Sequence, residues 1–241
     1  MAGNARFKAV ITLLLVTGLG PQSGVLAGEE DPFAEARERM VRETIELRDV
    51  SDPATLRAMR AVLRHEFVDP AMIRQAYADR PLPIGYGQTI SQPYIVAFMT
   101  ELLQVGPGDV ALEIGAGSGY QAAVLAEIVD KVYTIEIVPQ LAELSTERME
   151  RLGYDNVTVK EGDGYFGWEE HAPFDAIIVT AAATHIPPPL VEQLRPGARM
   201  VIPVGPPMQV QTLMLVEKDE EGQVRQRSLM PVRFVPLTGE R

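Results

Sequence analysis

Three stretches carry acids or glycines where a ligand is usually held. Glu113-Ile114-Gly115-Ala116-Gly117-Ser118-Gly119 follows the apolar run DVALEI and opens a helical one. Glycines there permit a tight turn and bring a ligand close to backbone amides at a helix N-terminus. A dinucleotide fingerprint needs its third glycine at position 120, where Tyr120 stands, and no Walker lysine follows. Glu136 ends the next apolar run, at about the distance where an acid binds a ribose; a carboxylate accepts from two adjacent sugar hydroxyls at once. Gly162-Asp163-Gly164 ends the third run, where an acid between glycines has little steric cover. Each signal alone is weak, since a glycine loop is often only a strand-to-helix turn. In succession they mark the crevice at the carboxyl ends of strands in an open α/β sheet. With no provision for a triphosphate, they suit a nucleoside ligand: S-adenosylmethionine first, a nicotinamide dinucleotide second.

A second chemical stretch lies upstream. GQTISQPY (87–94) is too polar for a core and stands between apolar segments. Ser91 offers a neutral hydroxyl donor, with Thr89 beside it; the competing use of Ser91 is to cap the helix that Pro93 opens. His65 at a helix end, His171 in a polar loop and His185 after a small-residue run have no metal-ligand spacing, so no metal is expected; His185 reads as structural, with the acceptor side as its alternative place. Trp168 reads as packing. The chain has no cysteine, which removes disulfides and thiol chemistry. Its net charge of -11, without a clustered basic stretch, argues against nucleic acid as partner.

The elements that must position these groups follow from periodicity. Residues 34–48 alternate charged and apolar residues at helical spacing, and Asp52-Pro53 and Asp69-Pro70 each look like a cap followed by a first helical proline. These open helices to about Arg64 and Ala78. Residues 79–88 read as a loop. A helix from Pro93 to about Gln104 then precedes alternating strands and helices, which predict a parallel sheet covered on both faces. TLMLVEKD and QVRQRSLMPVRFVPL, joined by Glu220-Glu221-Gly222, predict a closing antiparallel hairpin.

The N-terminus has another pattern. Arg6 and Lys8 precede AVITLLLVTGLG, and Val25-Leu26-Ala27 supplies small residues at cleavage-type positions, the layout of a secretory signal peptide. The division is therefore 1–27 as signal peptide, 28–91 as N-terminal helices and active-site loop, and 92–241 as catalytic core. Cleavage would predict an exported or periplasmic protein with no membrane association.

LPIGYGQTISQPYIVAFMTELL, LEIGAGSGYQAAVLA, EGDGYFGW, APFDAIIVTAA, MVIPVG and RFVPLT together resemble the protein-L-isoaspartate O-methyltransferases of bacterial type, from about Asp31 to Thr238. G-x-G-x-G is shared by many methyltransferases, whereas TISQP with RFVPLT is specific to this family. The resemblance implies a Rossmann-like class I methyltransferase with a mostly parallel seven-stranded sheet, antiparallel C-terminal strands and an N-terminal helical appendage. It implies S-adenosylmethionine as methyl donor, S-adenosylhomocysteine as product, and the free α-carboxylate of L-isoaspartyl residues in damaged proteins and peptides as acceptor. The methyl ester then collapses to a succinimide, whose hydrolysis returns some normal aspartate. Carried onto this sequence, the cofactor residues are Gln88, Thr89, Ile90, Ser91, Glu113, Gly115, Gly117, Gly119, Glu136, Gly162, Asp163 and Thr238. Ser91 matches the catalytic serine. Thr89 and Ser91, with backbone amides at Val204 and Gly205, are the candidates for holding the acceptor. A monomer is expected, and the family default is cytoplasmic, in tension with the leader. Competing expectations are a methyltransferase for small acids, a nicotinamide-dependent oxidoreductase, and a catalytically silent binding protein.

Overall fold

The computed structural model describes Met1 and residues 31–239. Met1 apart, the signal-peptide reading of residues 1–27 lies outside the described residues. Phe33–Arg241 forms one compact unit. Helix α1 (Ala34–Met40) continues through a π turn and a 3-10 turn to Arg48, and Asp49 ends it in the left-handed region at φ 67°. Helix α2 (Pro53–Ala61) is capped by Asp52, whose carboxylate accepts from the Thr55 N–H at 2.7 Å. The third expected helix is instead a 3-10 stretch, Pro70–Gln75, although Asp69 caps it as the sequence suggested.

The segment expected to be a loop contains a hairpin. Strands β1 (Leu82–Gly85) and β2 (Gln88–Ile90) pair antiparallel around Tyr86 and Gly87, both at positive φ. Positive φ at both central residues is the turn that matches strand twist. Helix α3 (Pro93–Leu103) follows, then β3 (Val110–Ile114), α4 (Tyr120–Ala126), β4 (Lys131–Glu136), α5 (Pro139–Leu152) and β5 (Val157–Glu161). Strand β6 (Phe174–Val179), the short α6 (Pro188–Glu192), β7 (Leu194–Val204), β8 (Gln211–Lys218) and β9 (Val224–Val232) complete the order.

The seven-stranded sheet runs β5-β4-β3-β6-β7-β8-β9. Strands β3 to β7 pair in parallel; β8 is antiparallel to both β7 and β9. Alternate side chains feed the two faces. Ala111, Ile178 and Val201 join one core cluster, while Leu112, Ile177 and Met200 join the other. The first cluster also takes Met40, Ile45, Met59 and Phe67, so the N-terminal helices and the sheet share one core. The order reverses between β3 and β6, leaving a crevice at their carboxyl ends where open α/β sheets bind ligands.

Arg64 is the main tie between the helices and the doorway. Its side chain is fully buried, its Nε donates to the Ala76 carbonyl at 2.7 Å and an Nη donates to the Ser91 carbonyl at 2.8 Å. The guanidinium lies 4.7 Å above the Tyr120 ring, and burial pulls its pKa below the usual arginine range. Arg64→Met leaves both carbonyls unanswered. We expect it to cost about 2–4 kcal/mol, read from urea denaturation, because buried acceptors lose charge-assisted bonds.

Candidate active site

Two clefts open at the crevice and meet along one seam. The first, about 740 Å³, is lined by the doorway residues 88–91, the glycine loop, Glu136 and the C-terminal segment 235–238. The second, about 1060 Å³, lies on the outer side of the doorway and reaches Arg48, Ile95, Met230, Arg233 and Phe234. Thr89, Ser91, Thr180 and Val235 line both. Three of these four carry hydroxyls, so the boundary between the clefts is polar and carries no formal charge.

The glycine loop is shaped by what it must clear. Gly115 sits at φ 101°, and a Cβ there would lie 2.6 Å from Thr180 Oγ1. That hydroxyl bonds the carbonyls of Ile114 and Gly115, at 3.0 and 2.7 Å, pinning the end of β6 to the loop. Gly117, at φ 53°, donates its N–H to Glu136 Oε2 at 2.7 Å, and the Val138 N–H takes Oε1 at 2.9 Å. Glu136 is therefore aimed by backbone, with lone pairs left for further donors. Gly119 serves packing: it precedes α4 at φ 86°, and a Cβ would meet Met149 Cε at 2.5 Å.

Two acceptor atoms are buried without a partner among the described residues, Glu113 Oε1 and Asp163 Oδ2. Thr134 donates to the other Glu113 oxygen at 2.6 Å. Burial pushes the Glu113 carboxyl up to about 8; the Thr134 bond opposes the shift and Glu136 adds to it. Asp163 Oδ1 accepts from the Tyr165 N–H at 2.9 Å. Cleft acids with unmet acceptor capacity call for a ligand rich in donors and positive charge. The sulfonium, ammonium, ribose hydroxyls and adenine amine of S-adenosylmethionine fit that demand.

The expected residues divide by position. Gln88, Thr89, Ile90, Ser91, Glu113, Gly115, Gly117, Glu136 and Thr238 all line the first cleft. Gly119, Gly162 and Asp163 are not among the lining residues, although their neighbours Ser118 and Gly164 are. Val204 and Gly205 line neither cleft. Of the two amides expected to hold the acceptor, that of Gly205 is already used within the chain, donating to Ala183 O at 2.9 Å; Val204 sits opposite Thr212 on β8. The capping alternative for Ser91 is not what the structure shows, because the residue at the cap of α3 is Gln92, which makes no side-chain cap bond. His185 lies in neither lining and bonds Tyr165 Oη at 3.1 Å. Trp168 and His171 pack on Tyr133.

Sequence reasoning missed Thr180, Arg48 and Asp79. Asp79 gathers three donors around the doorway: the Tyr94 N–H at 3.0 Å, Gln92 Nε2 at 2.7 Å and an Arg48 Nη at 2.8 Å. Thr180 directly follows the strand FDAIIV, a position that could have been singled out by the rule that strand ends carry ligands. Arg48 and Asp79 carried no such signal, being separated from Ser91 by a helix and a hairpin.

Glu113 gives the protein a pH signature. From about 4.5, its ordinary value, to about 8, the folded chain holds a proton that the unfolded chain has released. Stability then falls as pH rises through that window, since the native state binds more protons. Urea midpoints of the ligand-free protein between about pH 5 and 8 should decline, and Glu113→Gln should flatten that decline.

Comparison with known proteins gives a consistent result. The family profile described as Protein-L-isoaspartate(D-aspartate) O-methyltransferase (PCMT) matches residues 35–241. The chain is 59% identical over 239 residues to protein-L-isoaspartate O-methyltransferase 2 of Syntrophobacter fumaroxidans, covering 95% of this chain and 96% of that one. It is 54% identical to protein-L-isoaspartate O-methyltransferase 1 of Cupriavidus necator, over 89% of this chain and 86% of the relative. A solved protein-L-isoaspartate O-methyltransferase superposes with a TM-score of 0.77 at 29% identity, over 84% of this chain and 66% of that chain. A putative protein-L-isoaspartate O-methyltransferase from Plasmodium falciparum, solved with S-adenosyl-L-homocysteine, gives 0.72 at 27% identity, over 84% and 98%. With one acid-lined cleft and one arginine-bearing cleft sharing a hydroxyl border at the sheet's switch point, and these matches across nearly the whole described chain, the protein belongs to the protein-L-isoaspartate O-methyltransferase family.

Proposed function

We propose that Ser91 is the residue that orients the acceptor in this protein-repair methyltransferase, which esterifies the free α-carboxylate of L-isoaspartyl residues in damaged proteins and peptides. The observation that carries this reading is the seam: Ser91 and Thr89 line the donor cleft and the outer cleft together. When bound, S-adenosylmethionine supplies a methyl group on a sulfonium centre and leaves as S-adenosylhomocysteine. Glu136 is set to accept the ribose hydroxyls, Glu113 Oε1 and Asp163 Oδ2 offer acceptors to the ligand's N–H groups, and Gln88, Ile90 and Thr238 close the cleft around it. Gly115 and Gly117 keep the backbone open for close approach, while Gly119 and Gly162 hold the wall behind.

An acceptor carboxylate with a pKa near 3.5 is ionised at neutral pH, so no general base is needed. The chain's task is to orient one oxygen and to exclude water. Negative charge on the acceptor disappears as the ester forms. A cation on the attacking oxygen would therefore favour the ground state over the transition state, whereas a neutral hydroxyl costs little. Ser91 supplies that hydroxyl, with Thr89 beside it. Arg64 fixes its carbonyl from behind, and Asp79 fixes Gln92 and Tyr94 just after it. Ser91→Ala is expected to lower kcat for an isoaspartyl peptide by about 10- to 100-fold, the scale of a misplaced reactant. Affinity for S-adenosylhomocysteine, by calorimetry, should change by less than about threefold. Unchanged turnover would remove Ser91 from the chemistry.

The wider assignments form part of the same reading. Residues 28–91 supply the helices and doorway loop, and 92–241 the catalytic core. Residues 1–27 act as a cleaved leader that exports a monomeric enzyme. Among the described residues no helix is long and apolar enough to cross a membrane. The acidic balance favours protein and peptide partners over nucleic acid. Fractionation of the native host should find isoaspartyl methylation outside the cytoplasm, on a chain lacking its first 27 residues. Recovery of intact Met1 on the active protein would overturn the leader.

A further inference from the structure

We propose that the outer cleft selects isoaspartyl segments carrying a second carboxylate beside the isoaspartate, with Arg48 and Arg233 as its readers; this rests on the methyl-transfer reading above. The chain is acidic overall, at a net charge of -11. Yet two arginines line this cleft, and among the described residues no aspartate or glutamate does. Arg48 is set in place: its guanidinium lies 3.4 Å above the Tyr94 ring and one Nη donates to Asp79 Oδ2 at 2.8 Å. Its side chain stays 43% exposed, with the remaining N–H groups unbonded among the described residues. Arg233, on the segment after β9, is exposed and forms no ion pair among the described residues. Ile95, Met230 and Phe234 give the cleft an apolar floor for the rest of the peptide.

The chemistry says which carboxylate these cations meet. Pairing them with the attacking oxygen would stabilise the charge that the reaction removes, and so slow it. A carboxylate that stays charged throughout, on a neighbouring side chain, gains binding in both states at no cost to the chemical step. Both arginines border the same open cleft as Ser91, so one extended peptide can present the isoaspartate to the seam and its neighbour to the arginines. The field of the whole acidic protein would produce the opposite preference, repelling acidic peptides. A preference for them is therefore a local signature.

The test compares isoaspartyl peptides that differ in one flanking residue, Glu, Gln or Lys, on either side. The measurement is kcat/KM for the full chain at saturating S-adenosylmethionine. On one side of the isoaspartate the Glu peptide should exceed the Gln peptide by about two- to fivefold, the scale of an exposed ion pair, with Lys lowest. That ratio should shrink as salt rises from about 0.05 to 0.5 M. It should fall toward one in Arg233→Gln and in Arg48→Gln, and Arg233→Glu should shift the preference toward Lys. Equal rates for the Glu and Gln peptides, a wild-type preference for Lys, or a Glu preference that survives both glutamine variants would overturn the proposal. If the Gln peptide is methylated but flanks make no difference, only this inference falls. If no isoaspartyl peptide is methylated, the methyl-transfer reading falls and takes this one with it.

Discussion

Between β3 and β6 the strand order reverses: from β3 the chain goes on to β4 on one side, and from β6 to β7 on the other. The site depends on that reversal. Strands on either side must end in turns, and turns expose backbone amides and strand-end side chains to whatever fills the crevice. The glycine loop leaves β3, Glu136 ends β4 and Thr180 follows β6. Thr180 extends the β3–β6 pairing past the strand ends by bonding two carbonyls at the start of the loop. The same hydroxyl occupies the space a side chain at position 115 would need, which ties a glycine requirement to a strand on the far side of the switch point.

Charge is sorted across the seam. The inner cleft holds Glu113 and Glu136: burial keeps Glu113 protonated at neutral pH, with Thr134 donating to one oxygen, and two backbone N–H groups answer the Glu136 carboxylate. The outer cleft carries arginines. Between them stand neutral hydroxyls. In the proposed reading, a cationic methyl donor and an anionic acceptor thus enter from sides of opposite character and meet where no fixed charge competes for the reacting atoms. Their mutual neutralisation is the driving electrostatic change, and a donor row without formal charge leaves it intact.

Holding that row in place is the work of groups far from it in sequence. Arg64 reaches Ser91 across 27 residues, and Asp79 across 15 reaches the N–H of Tyr94. Both also engage the N-terminal helices, through the Ala76 carbonyl and Arg48. The helices share an apolar core with one face of the sheet, so the doorway is fixed to the rigid part of the molecule through them. A polar loop before an apolar helix would otherwise be mobile, and a hydroxyl on it would orient nothing.

Local chemistry was readable from the chain alone. Proline after aspartate marked two caps, apolar runs alternating with helical spacing announced the parallel sheet, and Glu113 to Gly119, Glu136 and Asp163 stood out because their types recur at strand ends. The hairpin at 82–90 was not readable, since its strands are four and three residues long and the first holds a proline and a glycine that look like loop. Nor was the fate of Gly205, whose N–H goes to a carbonyl 22 residues away. The sequence by itself determined which groups are available and which turns can carry them, because capping, periodicity and glycine freedom act over a few residues. Tertiary structure alone decided that Thr180, Arg48, Asp79 and Arg64 converge on Ser91, and that Glu113 is buried enough to keep its proton. Those depend on which surfaces meet across the core, and on how completely water is removed when they do.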